Sequence, residues 1–293
     1  MAHTMGSDYI EQDAVLTSDN ILIVLHDLYL DAVTDVAKRF PGRNRKDGRH
    51  YAIDFTLEEI KTLRVHERVG ADGLPEFPGR FPHRDDIFRI PTLQEEITLI
   101  QGLNRSSGRN VGVYIEPKSP AWHRAEGRDL VKEVISTLAD NGYRGRQDKA
   151  YLQSFDTDCL HYARHELKTD LKLVQLIGDN SWEESDTDFE YLQTEEGLQT
   201  ISRFADGIGP WLMQVVRFHE GQTTDISGLT ALAHRFGLFV HAYTLRTDQL
   251  PPEIGTMRNA VLFLRGRAGL DGVFTDHPDQ VIEALQQQVP GLE

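Results

Sequence analysis

Residues 9–27, YIEQDAVLTSDNILIVLHD, decide how the rest of the chain is read. Two strands joined by the turn Thr17-Ser18-Asp19-Asn20 account for them. Strand side chains alternate with a period of two, so Glu11 and Asp13 share one face of the first strand, roughly 7 Å apart. The second strand, residues 21–25, is a continuous apolar run that ends abruptly in His26 and Asp27, as a buried strand does where it reaches its rim. The carboxylate pair and the histidine then come to the same end of a sheet. The pattern predicts a cation site with an acid/base group beside it.

Downstream of this hairpin, residues 31–90 are polar and rich in Gly, Pro, Arg and Asp, and read as an excursion from the sheet. Thr56-Leu57-Glu58-Glu59 fits a capping box ahead of Ile60 and Leu63, which predicts one helix there. The basic group Lys38, Arg39, Arg43, Arg45, Lys46 and Arg49 reads as a solvated loop, with attraction of a phosphate as the alternative. From Pro91 the pattern becomes regular. Thr92 and Glu95 form a second capping box for a helix to about residue 103, and strands follow over 110–115, 150–155, 171–177, 207–212, 238–245 and 272–275. Helices are predicted between them over 129–139, 158–167, 196–204, 229–236 and 257–264, with a closing helix over 278–287. Strands separated by helices imply a parallel sheet, and this many units favour an α/β fold of the (β/α)8 TIM-barrel type over an open sheet. Counted with the strand ending near Glu11, seven strands begin a βα unit, where eight close a barrel. The expectation is a single barrel domain over 1–293, lacking its first βα unit and carrying a long insertion over about 31–90.

A chain of 293 residues and 33.3 kDa is long enough for one such barrel. Its 39% hydrophobic and 26% charged residues are those of a globular protein. No run of about 18 apolar residues occurs, so stable membrane insertion is not expected. The 31 Lys and Arg against 46 Asp and Glu give a net charge of -15, which opposes nucleic acid and favours a cation. The single Cys159 reads as a buried structural thiol.

In a barrel the chemistry gathers at the C-terminal strand ends. Tyr114-Ile115-Glu116-Pro117-Lys118 puts Glu116 and Lys118 at such an end with the same side-chain parity. Glu116 completes a set of three carboxylates with Glu11 and Asp13, suited to a hard cation such as Ca²⁺ or Mg²⁺ and poor in the softer donors zinc prefers. Lys118 beside them fits an anionic substrate. The competing account is that Glu116 and Lys118 form a rim ion pair. His26 suits proton transfer near neutral pH. His3, His50, His66, His83 and His123 lie in polar segments and are expected at the surface. Gln153, Phe155 and Tyr243 also fall near strand ends, where core packing explains Phe155 and Tyr243 as well as substrate contact does. The acidic run 183–196 lacks the glycine that an EF-hand turn needs.

The hairpin with its EQD and VLHD, followed by YLDAVTDVA, resembles the glycerophosphodiester phosphodiesterase family, in particular its bacterial periplasmic members. The likeness continues through Arg45-Lys46-Asp47-Gly48-Arg49, Tyr51-Ala52-Ile53-Asp54-Phe55-Thr56, Ile90-Pro91-Thr92-Leu93, Tyr114-Ile115-Glu116-Pro117-Lys118, Gln153-Ser154-Phe155-Asp156 and Gly272-Val273-Phe274-Thr275-Asp276. It implies a (β/α)8 barrel that hydrolyses glycerophosphodiesters to sn-glycerol 3-phosphate and an alcohol, using the substrate's own glycerol hydroxyl to form a cyclic phosphate. By the same resemblance Glu11, Asp13 and Glu116 match divalent-metal ligands, with calcium ahead of magnesium. His26 matches one of two catalytic histidines, Lys118 a residue near the phosphate, and the expected residence is periplasmic.

One departure stands out. The family's first strand ends in a His-Arg-Gly motif with the other catalytic histidine, and nothing upstream of Glu11 matches it, since Thr4 follows His3. The expectation is a chain started at an internal methionine, with activity impaired or lost. Two other readings compete: a protein that binds a phosphodiester without turning it over, and a TIM-barrel glycosidase using Glu11 and Glu116. Loss of activity in a chelator separates the last from a metal-dependent phosphodiesterase.

Overall fold

The computed structural model describes residues 1–70, 73–78, 80, 88–217 and 225–287. Ten strands occur among them: β1 (Tyr9–Leu16), β2 (Leu22–Val24), β3 (Gly112–Pro117), β4 (Ala150–Ser154), β5 (Lys172–Ile177), β6 (Gly207–Pro210), β7 (Val216–Arg217), β8 (Asp225–Ile226), β9 (Phe239–Leu245) and β10 (Gly272–Thr275). Eight of them hydrogen-bond in the order β10-β9-β6-β5-β4-β3-β1-β2, and β7 pairs with β8 alone. Pairing is parallel for β4 with β5, β5 with β6, β6 with β9 and β9 with β10, and antiparallel for β1 with β2. Helices fill the connections between the parallel strands. The sheet is of the α/β TIM-barrel type, with seven strands that each begin a βα unit and β2 as an antiparallel addition.

The expected hairpin forms: the first strand runs to Leu16, directly before the turn at Thr17, because Ala14, Val15 and Leu16 pair with Val24, Ile23 and Leu22. Glu11 and Asp13 are therefore mid-strand. One strand boundary differs from expectation: Leu212, expected to end a strand, opens instead the short helix Leu212–Val215 behind β6. The helix predicted over 158–167 begins as Thr157–His161 and continues with π-type bonding over Tyr162–Glu166.

By their internal contacts the described residues form two compact units. One comprises residues 1–10, 103–114 and 142–293. Its strands β4 and β6 are buried throughout, as strands of a parallel sheet covered on both faces are. Tyr114, Tyr151 and Val174 pack with Tyr9, Phe239 and Phe274. Gly112 is demanded by this packing: a Cβ there would lie 2.4 Å from the Lys149 carbonyl oxygen and 2.5 Å from the Tyr9 ring. His3 is not a surface residue. It is buried and its Nε2 is 2.9 Å from Asn104 Oδ1, while Arg109 bonds its carbonyl oxygen.

The other unit comprises residues 11–102 and 115–141. Here the 31–90 excursion builds a core of its own: Phe55, Ile60 and Leu63 are fully buried with Val15, Ile23 and Leu30. Each such side chain contributes about 1.5–3 kcal/mol by leaving water, enough to hold a polar segment against the hairpin. Both capping boxes form. Thr56 and Glu59 cap Leu57–Thr62, and Glu95 accepts from the Thr92 amide at 2.7 Å while Thr92 Oγ1 accepts from the Glu95 amide at 3.0 Å. The basic group is largely neutralised within the excursion and its neighbours. Arg43 pairs with Glu59, Arg39 with Asp35, and Arg45 with both Asp54 and Glu126.

Candidate functional site

The site is built in the second unit, where the hairpin and the end of β3 meet. The Lys118 amide donates to the Ala14 carbonyl at 3.0 Å, which lays the strand carrying Glu116 beside the one carrying Asp13. The Leu25 amide donates to the Asp13 carbonyl at 3.0 Å, which brings the residue after it, His26, level with the carboxylates from the other side. Glu11, Asp13 and Glu116 then each offer a carboxylate oxygen within 4.8 Å of the others. Glu11 is exposed, Asp13 is half-buried and Glu116 is buried, so the cluster opens on one side.

Lys118 is itself buried, with Nζ 2.8 Å from Glu116 Oε1 and 4.0 Å from Asp13 Oδ1. The ion pair named as the competing account is present, and Lys118 reaches two of the three carboxylates. By formal charge, one ammonium and three ionised carboxylates sum to two negative charges, which a divalent cation matches. An all-oxygen donor set suits a hard cation. Burial pushes the Glu116 carboxyl well above the ordinary carboxylate range, and Lys118 works against that shift. A carboxyl whose charged form burial disfavours is one that a bound divalent cation would hold ionised.

His26 keeps an open ring, with 59% of its side chain exposed. Its Nδ1 lies 2.8 Å from Asp27 Oδ1, and Asp27 Oδ2 accepts from Arg68 Nη1 at 2.7 Å. The Asp27 hydrogen bond raises the His26 pKa, with burial and the charge of Lys118 opposing it. Burial acts to raise the Asp27 carboxyl, but the hydrogen bonds from His26 and Arg68 outweigh it and hold that carboxyl at about 2. An ionised Asp27 only accepts, so the shared proton sits on Nδ1 and leaves Nε2 as the proton-exchanging atom.

The remaining predicted residues lie in the first unit. Gln153 is buried in β4. Phe155 follows β4 and sets its ring 5.8 Å from that of Tyr243, at 90°. The Tyr243 hydroxyl donates to the Ile177 carbonyl at 3.0 Å. Two aromatic residues that sequence reasoning passed over stand near them in the chain's strand ends. Trp182 follows β5, Trp211 follows β6, and their rings are 5.2 Å apart. The position of Trp211 directly after a parallel strand, and of Trp182 in the loop after another, was the signal available. Asp27 was noted only as following His26, and Arg68 was missed, because nothing local marks an arginine 41 residues away as its partner.

The expected surface role fails for two histidines of the second unit. His50 is buried against Asp31, with Nδ1 2.7 Å from Oδ1, and His123 is buried with Nε2 accepting from the Leu16 amide at 3.4 Å. Burial lowers the His123 pKa, which suits a neutral structural acceptor. His66 is half-buried, and His83 lies outside the described residues. The acidic run 183–196 holds helix starts: Asp188 caps Phe189–Leu192 and Thr194 caps Glu195–Ile201. Cys159 is buried, as expected.

A sheet of the TIM-barrel type with clustered carboxylates that could hold a cation, a buried lysine and an aspartate-held histidine defines an α/β barrel protein with one polar site. The sequence profile of the glycerophosphoryl diester phosphodiesterase family matches residues 1–280, and the chain belongs to that family. It is 38% identical to the glycerophosphodiester phosphodiesterase of Haemophilus influenzae, over 98% of this chain and 84% of that protein. It is 33% identical to that of Treponema pallidum, over 97% and 85%. Among solved structures, a putative glycerophosphoryl diester phosphodiesterase from Silicibacter pomeroyi matches with a TM-score of 0.69 at 22% identity, over 97% of this chain and 85% of that one. A phosphodiesterase from Oleispira antarctica, in complex with the product sn-glycerol-3-phosphate, matches with a TM-score of 0.61 at 18% identity, over 97% and 87%.

Proposed function

We propose that this protein hydrolyses glycerophosphodiesters to sn-glycerol 3-phosphate and an alcohol, with Glu11, Asp13 and Glu116 as ligands for a divalent cation, calcium ahead of magnesium. The observation that carries the reading is the convergence of three carboxylates, a buried ammonium and an aspartate-held imidazole in one unit. The names of the relatives and membership of the family support it. A bound cation would neutralise charge on the phosphoryl oxygens.

The chain's own residues supply the rest. Lys118 offers its ammonium to an equatorial phosphoryl oxygen, strengthened by its burial. His26 exchanges a proton through Nε2 with the attacking or the leaving oxygen while Asp27 stabilises the imidazolium. Overall, water adds across one P–O bond: a new P–O bond forms, the bond to the alcohol breaks, and the departing oxygen takes a proton. Gln153, Phe155 and Tyr243 are proposed to contact the substrate.

Release of sn-glycerol 3-phosphate from glycerophosphocholine in a coupled assay tests the proposal. Turnover lost in a chelator and restored by calcium supports it. Binding of glycerophosphocholine with no product at any metal concentration would instead establish a phosphodiester-binding protein. Turnover of a glycoside unaffected by chelator would establish a glycosidase. Periplasmic residence belongs to the same proposal and rests on the resemblance of residues 8–35; recovery of the protein with a cytoplasmic marker on cell fractionation would sink it.

A further inference from the structure

Asp27 uses both its oxygens as hydrogen-bond acceptors. Oδ1 is 2.8 Å from His26 Nδ1, and Oδ2 accepts from Arg68 Nη1 at 2.7 Å. The Asp27 side chain is 11% exposed and that of Arg68 27%, so the pair is shielded while the imidazole is open.

Arg68 belongs to the 31–90 excursion, and the backbone around it is pinned on both sides. The His66 amide donates to the Val33 carbonyl at 2.9 Å, and the Val69 amide to the Ala32 carbonyl at 3.1 Å. The Glu76 amide donates to the Arg68 carbonyl at 2.9 Å, and the Glu76 carboxylate stands 3.6 Å from Arg68 Nε. The guanidinium is therefore aimed by a paired backbone and a second carboxylate.

We infer that Arg68 is a positioning residue for the acid/base group: by fixing the Asp27 carboxylate it locks His26 in the tautomer protonated at Nδ1 and in the orientation that presents Nε2. The inference rests on the assignment of His26 under the proposed function. A carboxylate held through one oxygen swings about its χ2 torsion. Held through both, it is a rigid acceptor, and rigid outer partners commonly change activity by about 10- to 100-fold when removed. The excursion thereby becomes part of the machinery of turnover, since it delivers the residue that sets the geometry of His26.

The test is Arg68→Ala and Arg68→Lys in the full chain. For Arg68→Ala we expect kcat to fall about tenfold or more with KM changed less than about twofold. Arg68→Lys, which restores a cation but not the planar fork, is expected to recover part of that loss. Nitrogen-15 NMR of the His26 ring reads the tautomer directly: protonated at Nδ1 in the parent, a mixture of tautomers in Arg68→Ala. An unchanged kcat with an unchanged tautomer would overturn the inference. So would a loss confined to KM, which would make Arg68 a substrate-binding residue. If the parent shows no phosphodiesterase turnover, the proposed function fails, and the tautomer in parent and variants still decides whether Arg68 sets the imidazole. Should Arg68→Ala not fold, Arg68→Lys and Glu76→Gln carry the same readouts.

Discussion

Removal of the buried ammonium tests the charge logic of the site without any substrate. In Lys118→Met the long side chain keeps most of its volume, while Glu116 loses the partner 2.8 Å away and Asp13 the one at 4.0 Å. At an effective dielectric constant of about 20, unit charges at 4.0 Å attract by about 4 kcal/mol, and breaking one side of a buried pair costs about 3–5 kcal/mol net. In a chelator the variant should therefore lose about 3 kcal/mol, or roughly 6–12 °C in Tm for a chain of this size. Calcium should reverse the order of sensitivity. A cation at about a hundred times its Kd stabilises a folded protein by about 2.7 kcal/mol, and Lys118 repels that cation from the same oxygens. The calcium-induced rise in Tm should consequently be larger in Lys118→Met than in the parent. Scanning calorimetry of both proteins in chelator and across a calcium series is the assay. A rise equal or smaller in the variant would refute the claim that Lys118 and a divalent cation share this cluster, and no rise in either would refute the cation site.

Two further outcomes follow from the structure. His26→Ala should lower turnover by about 10²–10⁴ while leaving the calcium-induced rise in Tm intact, measured by the coupled assay and calorimetry together. Burial pushes the His241 pKa from 6.5 down to about 4. With the folded value below the unfolded one, the unfolded chain takes up the proton first, so stability contributed by this group is full above about 6.5 and is lost as pH falls toward 4. Urea midpoints across that window should fall less steeply in His241→Gln, and equal slopes would show that His241 carries none of the effect.

Much of the fold was readable locally. The two capping boxes, at Thr56 with Glu59 and at Thr92 with Glu95, are three-residue signals and both formed. Apolar runs such as 171–177 gave strands, because strands of a parallel sheet are buried on both faces. The errors have a common cause. His3, His50 and His123 sit in polar stretches yet are buried, since Asn104, Asp31 and the Leu16 amide each meet one ring nitrogen from elsewhere in the chain.

The candidate site divides the same way. The sequence by itself determined that Glu11 and Asp13 share a strand face, that Glu116 and Lys118 share another, and that an apolar run delivers His26 to a rim, because period-two alternation is fixed by the backbone. Only the tertiary structure decided that the three carboxylates come within 4.8 Å of one another, that Lys118 is buried among them, and that Asp27 is held by Arg68. Those relations depend on register between strands and on where a long excursion folds back. Both are set by packing and hydrogen bonding between residues far apart in the chain, which no local pattern records.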